Sequence, residues 1–159
     1  MAKQGSVGPS RSGDQFHYQW AARQCLGLLA ATDGLVAVTI EGASLDEGEA
    51  STSVGDEVID VGLYYGSEDV VAATSISYMQ LKHSSKHAHD PWKASGHKGT
   101  IEGFAGRFNQ LGASLGLDVL EKKVRFVFLT NRPIPEDVLE PLADLAAATT
   151  TPPHGEIDK

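Results

Sequence analysis

The order of periodic segments predicts an α/β domain with a mixed four-stranded sheet flanked by helices. Three observations carry this expectation. An apolar stripe at helical spacing opens the chain, three short strand-like runs follow with brief connections, and a second helical stripe then leads into an almost wholly apolar run. A strand reached through a helical crossover is expected to lie parallel to its neighbour, so an antiparallel meander would gain a parallel fourth strand. The element order is helix, three strands, helix, strand, and a further helical segment.

Each element has its own signal. Residues 1–11 are rich in Gly, Ser and Lys and are expected to be flexible. Ser12-Gly13-Asp14-Gln15 has the spacing of a capping box, and Phe16, Trp20, Ala21, Cys25, Leu28 and Leu29 form one stripe of the helix that follows. Leu35–Glu41 is apolar and partly β-branched, which predicts the first strand. The small, acidic stretch 42–55 reads as a loop. Glu57–Tyr65 alternates, with Ile59, Val61 and Leu63 on one face and Asp60 mid-strand on the other. Ser75–Lys82 is the third strand, after a turn at Gly66–Asp69.

Residues 86–99 are polar and interrupted by Asp90-Pro91, so a loop is expected before a second helix capped by Thr100. Ile101, Phe104, Phe108, Leu111 and Leu115 repeat at spacings of three and four, while Gly103, Gly106 and Gly112 look like packing positions. Val124–Leu129 predicts a strand buried on both faces. Glu136–Ala148 is helical, with Pro141 either breaking it or restarting it. The Thr/Pro-rich residues 149–159 read as a linker, which leaves 12–148 as the domain.

Composition narrows the function. The length of 159 residues is that of one domain, and 41% hydrophobic with 21% charged residues is a globular balance. The run around Leu26–Ile40 is interrupted and too short to span a bilayer, and the N-terminus lacks the apolar core of a secretory signal. With Cys25 as the single cysteine, a disulfide framework is excluded and a cytoplasmic setting is expected. The net charge of −8 argues against a general nucleic-acid coat, yet it is unevenly spread. Residues 41–69 carry nine acids and no Lys or Arg, whereas residues 82–98 carry a net charge of +3 and four histidines. An acidic segment beside a basic one suits a metal site next to a phosphate track.

Asp60, Gln80 and Lys82 carry the candidate chemistry. Gln80 and Lys82 share one face of their strand, and a paired Asp60 would join them. A mid-strand carboxylate is costly unless paired or bound to a cation, and a hard divalent cation takes such oxygens. Glu41 adds a second carboxylate, Gln80 a neutral carbonyl oxygen, and Lys82 a charge that can stabilise a scissile phosphate or orient water. Asp60 and Lys82 fit an ordinary cross-strand ion pair equally well. In the basic loop, Lys86, Lys93, Lys98 and His83 are candidate phosphate contacts and Trp92 a surface for sugar or base. The spacing of His83, His87 and His89 is conceivable for zinc, although Cys25 lies far off in the first helix.

The text Gly13-Asp14-Gln15-Phe16-His17-Tyr18-Gln19-Trp20, together with Ile40-Glu41-Gly42, Glu57-Val58-Ile59-Asp60-Val61 and Tyr78-Met79-Gln80-Leu81-Lys82-His83, resembles the PD-(D/E)xK nuclease superfamily. It is similar in particular to the duplex-DNA endonuclease domain of bacterial anti-phage effectors, of the CD-NTase-associated and Mrr-like type. The resemblance runs from about Ser12 to Pro133 and implies a restriction-endonuclease-like fold with an αβββαβ core. By position, Asp60 matches the metal-binding aspartate, Lys82 the catalytic lysine and, less closely, Glu41 the upstream acid, with Glu57 as its rival. Gln80 stands where many members have Glu or Asp. The resemblance implies Mg²⁺, with Mn²⁺ as the alternative, double-stranded DNA cut with little sequence preference, a fused sensor or regulatory domain, and activation by oligomerisation. A binding or assembly module that keeps the fold without catalysis is the other expectation.

Overall fold

A computed structural model describes residues 8–30, 34–48 and 54–149. Residues 1–7 of the expected flexible N-terminus and 150–159 of the expected tail lie outside the described residues. The chain forms α1 (Gly8–Ala30), β1 (Leu35–Ile40), β2 (Val61–Tyr65), β3 (Ser75–Lys82), α2 (Lys98–Leu115), α3 (Leu117–Lys123), β4 (Val124–Thr130) and α4 (Glu136–Thr149), with short 3-10 turns at Asp56–Val58 and Ala94–Gly96. The architecture is α/β. One mixed four-stranded sheet of order β1-β2-β3-β4 has antiparallel β1/β2 and β2/β3 pairs and a parallel β3/β4 pair, as the crossover predicts.

Helices cover both faces of the sheet. Toward α1, Val61, Leu63, Met79 and Leu81 pack with Ala21, Phe16 and Trp20. Toward α2 and α3, Tyr64, Ile76 and Tyr78 pack with Leu111, Leu120, Phe104 and Phe108. Neighbouring strand positions thus feed opposite layers, as the pleat requires. No helix among the described residues is long and apolar enough to cross a membrane.

Several elements depart from expectation. α1 begins at Gly8, so Ser12 lies inside the helix and does not cap it; Pro9 is tolerated because the first turn needs no N–H donor there. Leu29 is exposed at the far end of α1. β2 begins only at Val61, because Asp56–Val58 closes a 3-10 turn with Val58 N–H donating to Gly55 O at 3.1 Å. Asp60 is therefore the residue before the strand, and Ile59 falls in the α2 layer, opposite Val61. His97, not Thr100, precedes α2. The buried face of α2 is Thr100, Gly103, Arg107 and Leu111, while Ile101 is exposed. Gly103 explains this rotation, since a Cβ there would meet Val58 Cγ2 at 2.6 Å. β4 is an edge strand and only half-buried over most of its length. α4 runs through Pro141 without a break.

Candidate active site

Asp60 is held from three sides. Its N–H donates to Met79 O of β3 at 2.9 Å, and its carbonyl accepts the Glu41 N–H from the end of β1 at 2.9 Å. Its carboxylate Oδ2 accepts the Leu81 N–H at 2.6 Å, replacing a backbone acceptor at the point where β2 has not yet begun. A charge-assisted bond of this length fixes the carboxylate as well as the chain. The second oxygen, Oδ1, stands 3.6 Å from His17 Nδ1, and His17 Nε2 is 2.9 Å from Leu81 O.

Glu41 comes beside it through an unusual backbone. Its φ is +60°, a left-handed conformation that side chains other than glycine adopt at a cost of order 1–3 kcal/mol. The Asp60 carbonyl stabilises this conformation, and Tyr18 OH donates to Glu41 Oε1 at 3.1 Å. α1 therefore presents two consecutive side chains, His17 and Tyr18, to the two carboxylates.

These groups open into one cleft of about 330 Å³, lined by His17, Glu41, Asp56, Glu57, Ile59 and Asp60. Glu57 shares this cleft with Asp60 because the 3-10 turn breaks the alternation that a strand would impose. Asp56 is tied back by Arg107 Nη1 at 2.6 Å. Burial raises the Asp56 carboxyl above the ordinary carboxylate range, more than the Arg107 guanidinium lowers it, and the nearby Glu47 and Glu57 raise it further.

Gln80 and Lys82 lie outside the lining. Gln80 pairs across the sheet near Asp60 but is buried, and its Oε1 accepts the Thr100 hydroxyl from the first turn of α2. Lys82 is half-buried at the end of β3, opposite Thr130 of β4, and no ion pair among the described residues reaches it. The structure thus brings Asp60 and Glu41 together and leaves Gln80 and Lys82 at the flank.

Among the described residues, no three His, Cys, Asp or Glu side chains group closely enough to enclose a metal ion by themselves. Mg²⁺, however, commonly takes only one or two carboxylates and fills its remaining positions with water and phosphate oxygens. Two carboxylates on one accessible cleft fit that requirement.

The basic loop is more ordered than its composition suggests. Trp92 Nε1–H donates to Thr130 Oγ1 at 2.8 Å, and the Arg132 guanidinium lies 4.4 Å from the centre of the Trp92 ring. Arg132 also donates to Asp90 O at 2.8 Å and Pro91 O at 2.9 Å. Trp92 therefore pins the loop to β4, and one ring face is already covered. His83 stacks on Phe16 with ring centres 4.7 Å apart, joining the end of β3 to α1. Lys86 and Lys93 are exposed, and Lys98 is exposed with Glu102 at 3.7 Å.

His17 and Arg107 are the residues that sequence reasoning passed over. Both were findable as polar side chains on apolar helix stripes, His17 four residues before Ala21 and Arg107 four before Leu111. No protein-family model matches the chain, and no curated protein does.

Proposed function

We propose that this chain is a metal-dependent endonuclease domain of restriction-endonuclease-like fold that hydrolyses phosphodiester bonds of double-stranded DNA. The observation that supports the reading most is the coincidence of a helix, three strands, a helical crossover of α2 and α3 and a parallel fourth strand with an aspartate anchored just before β2, facing an open acidic cleft. Two carboxylates, Asp60 and Glu41, would hold Mg²⁺ or Mn²⁺. The bound cation would supply Lewis-acid polarisation of the phosphate and a more acidic water. Asp60 is oriented by Leu81 N–H and Glu41 by Tyr18, so neither has to reorganise when substrate arrives. Lys82, on the strand next to Asp60, would neutralise charge developing on the phosphate. Lys86, Lys93 and Lys98 would follow the backbone of the duplex. A role in anti-phage defence under a fused sensor domain, with activation by oligomerisation, extends the same proposal.

A second reading has its own support. The engaged Gln80 amide and the position of Lys82 outside the cleft lining suit a nuclease-fold module that binds or assembles without cutting. Supercoiled plasmid incubated with Mg²⁺ or Mn²⁺ separates the two. Nicking by the parent chain that is lost in Asp60→Ala and Lys82→Ala is the result expected of the endonuclease; equal products from all three would refute the assignment.

A further inference from the structure

We propose that the apolar cavity between α2, β4 and the start of α4 binds a small neutral aromatic alcohol of one or two rings, held through its hydroxyl by His97 and Thr100. The cavity measures about 250 Å³. Phe104, Phe126, Phe128 and Ile134 are among its walls, and His97 and Thr100 are the two lining residues with polar side chains. It shares no lining residue with the acidic cleft, so the inference stands independently of the nuclease reading.

His97 is the residue that points to a ligand. Only 7% of it is exposed, yet its Nε2 is buried with no hydrogen-bond partner among the described residues. A buried nitrogen in that state costs stability, which a guest able to pair with it restores. Thr100 is the second handle. Its proton goes to Gln80 Oε1, which leaves lone pairs on the Thr100 oxygen to accept another. Ile101 N–H donates to His97 O at 2.9 Å, so residues 97 and 100 share one helical turn and their side chains are neighbours. A hydroxyl both donates and accepts. One such group can give its proton to Thr100 Oγ1 and accept the His97 Nε2 proton.

The walls select the rest of the ligand. Phe128 meets the His97 ring edge to face with centres 4.7 Å apart, and the Phe104 and Phe126 centres are 4.9 Å apart. Such rings pack well against another flat ring. A dry cavity of about 150 Å³ takes benzene. About 250 Å³ therefore suits one substituted ring or two fused ones. Water would find only two polar partners here, the fewest that hold one, so a ligand displaces it easily. Anions fit poorly, because burial lowers the His97 imidazole and keeps it neutral near pH 7. A nucleobase fits poorly too, since its edges carry more polar groups than this cavity can pair.

The test is a titration of the ¹⁵N-labelled 159-residue chain with p-cresol and with toluene, which differ only by the hydroxyl, read from amide resonances. Both should bind with shifts centred on α2, β4 and residues 134–138, and p-cresol at least as tightly as toluene. His97→Phe keeps a ring but loses the nitrogen, so p-cresol should weaken about tenfold while toluene is unchanged. Ile134→Trp fills the cavity and should abolish both. Absence of p-cresol binding at millimolar concentration, shifts centred elsewhere, or binding that Ile134→Trp leaves intact would overturn the site. Nuclear Overhauser contacts from residues 142–159 onto Phe126 or Phe128 would show the cavity filled by the chain itself, which overturns it equally. Equal effects of His97→Phe on the two ligands would overturn the hydroxyl assignment. The parent chain alone decides that point if His97→Phe does not fold, since tighter binding of toluene than of p-cresol contradicts it.

Discussion

Replacing Arg107 by Met tests how the acidic side of the cleft is held in place. Arg107 is fully buried, with Nη2 2.5 Å from Glu47 Oε2, Nη1 2.6 Å from Asp56 Oδ1 and its guanidinium carbon 4.4 Å from the Tyr78 ring centre. Glu47 is equally buried, and its other oxygen accepts Tyr64 OH at 2.7 Å and Tyr78 OH at 2.6 Å. Without the guanidinium, Glu47 keeps two hydroxyl donors but no countercharge. Removing one partner of such a pair costs about 3–5 kcal/mol. At about 2–4 °C per kcal/mol for a chain of this size, Tm should fall by roughly 6–20 °C. Asp56 adds little to the loss, because its side chain is 39% exposed and can rehydrate. Urea unfolding followed by circular dichroism measures the change, with m held constant as the check on two-state behaviour. The double variant Glu47→Gln/Arg107→Met removes the uncompensated charge and keeps an acceptor for the tyrosines, so it should recover about 2 kcal/mol or more of the loss. A cost below about 1 kcal/mol for Arg107→Met, or a double variant no more stable than the single one, would refute the charge-compensation argument.

Three further outcomes are expected. Burial raises the phenols of Tyr64 and Tyr78 well above their ordinary value of 10.0, so the folded chain keeps protons that the unfolded chain loses. Stability is complete below pH 10 and should fall above it by about 1.4 kcal/mol per pH unit for each of the two; ultraviolet titration should show two of the four tyrosines ionising only on unfolding. Burial lowers the His97 imidazole below 6.5, so stability is complete above that pH and is lost as the pH falls through the folded value; His97→Gln should flatten this acid limb in urea titrations. Gly103→Ala should cost about 1–3 kcal/mol by thermal unfolding, because the new Cβ meets Val58 and pushes the Asp56–Val58 turn that lines the cleft. Unchanged stability in Gly103→Ala would show that the turn yields freely.

The sheet was legible because its signals are local. β3 has the predicted bounds, and the parallel β4 follows from the helical crossover. What escaped was set by contacts between distant segments. The alternating text 57–65 is a strand pattern, yet the Gly103 groove and the Arg107–Asp56 pair hold its first residues in a 3-10 turn. That single departure moves Glu57 into the cleft and Ile59 into the α2 layer. Asp60 and Glu41 were readable as candidates, while their partner His17 was hidden in an apolar stripe. The Gln80 amide could not be assigned an orientation before Thr100 was known to lie against it.

The most direct measurement is the initial rate of nicking of a covalently closed duplex circle across a Mn²⁺ titration, for the parent chain and Asp60→Asn. The account predicts a cation-dependent rate in the parent, lower in Asp60→Asn by on the order of 10²–10³-fold even at saturating Mn²⁺. A rate that Asp60→Asn leaves unchanged would contradict it.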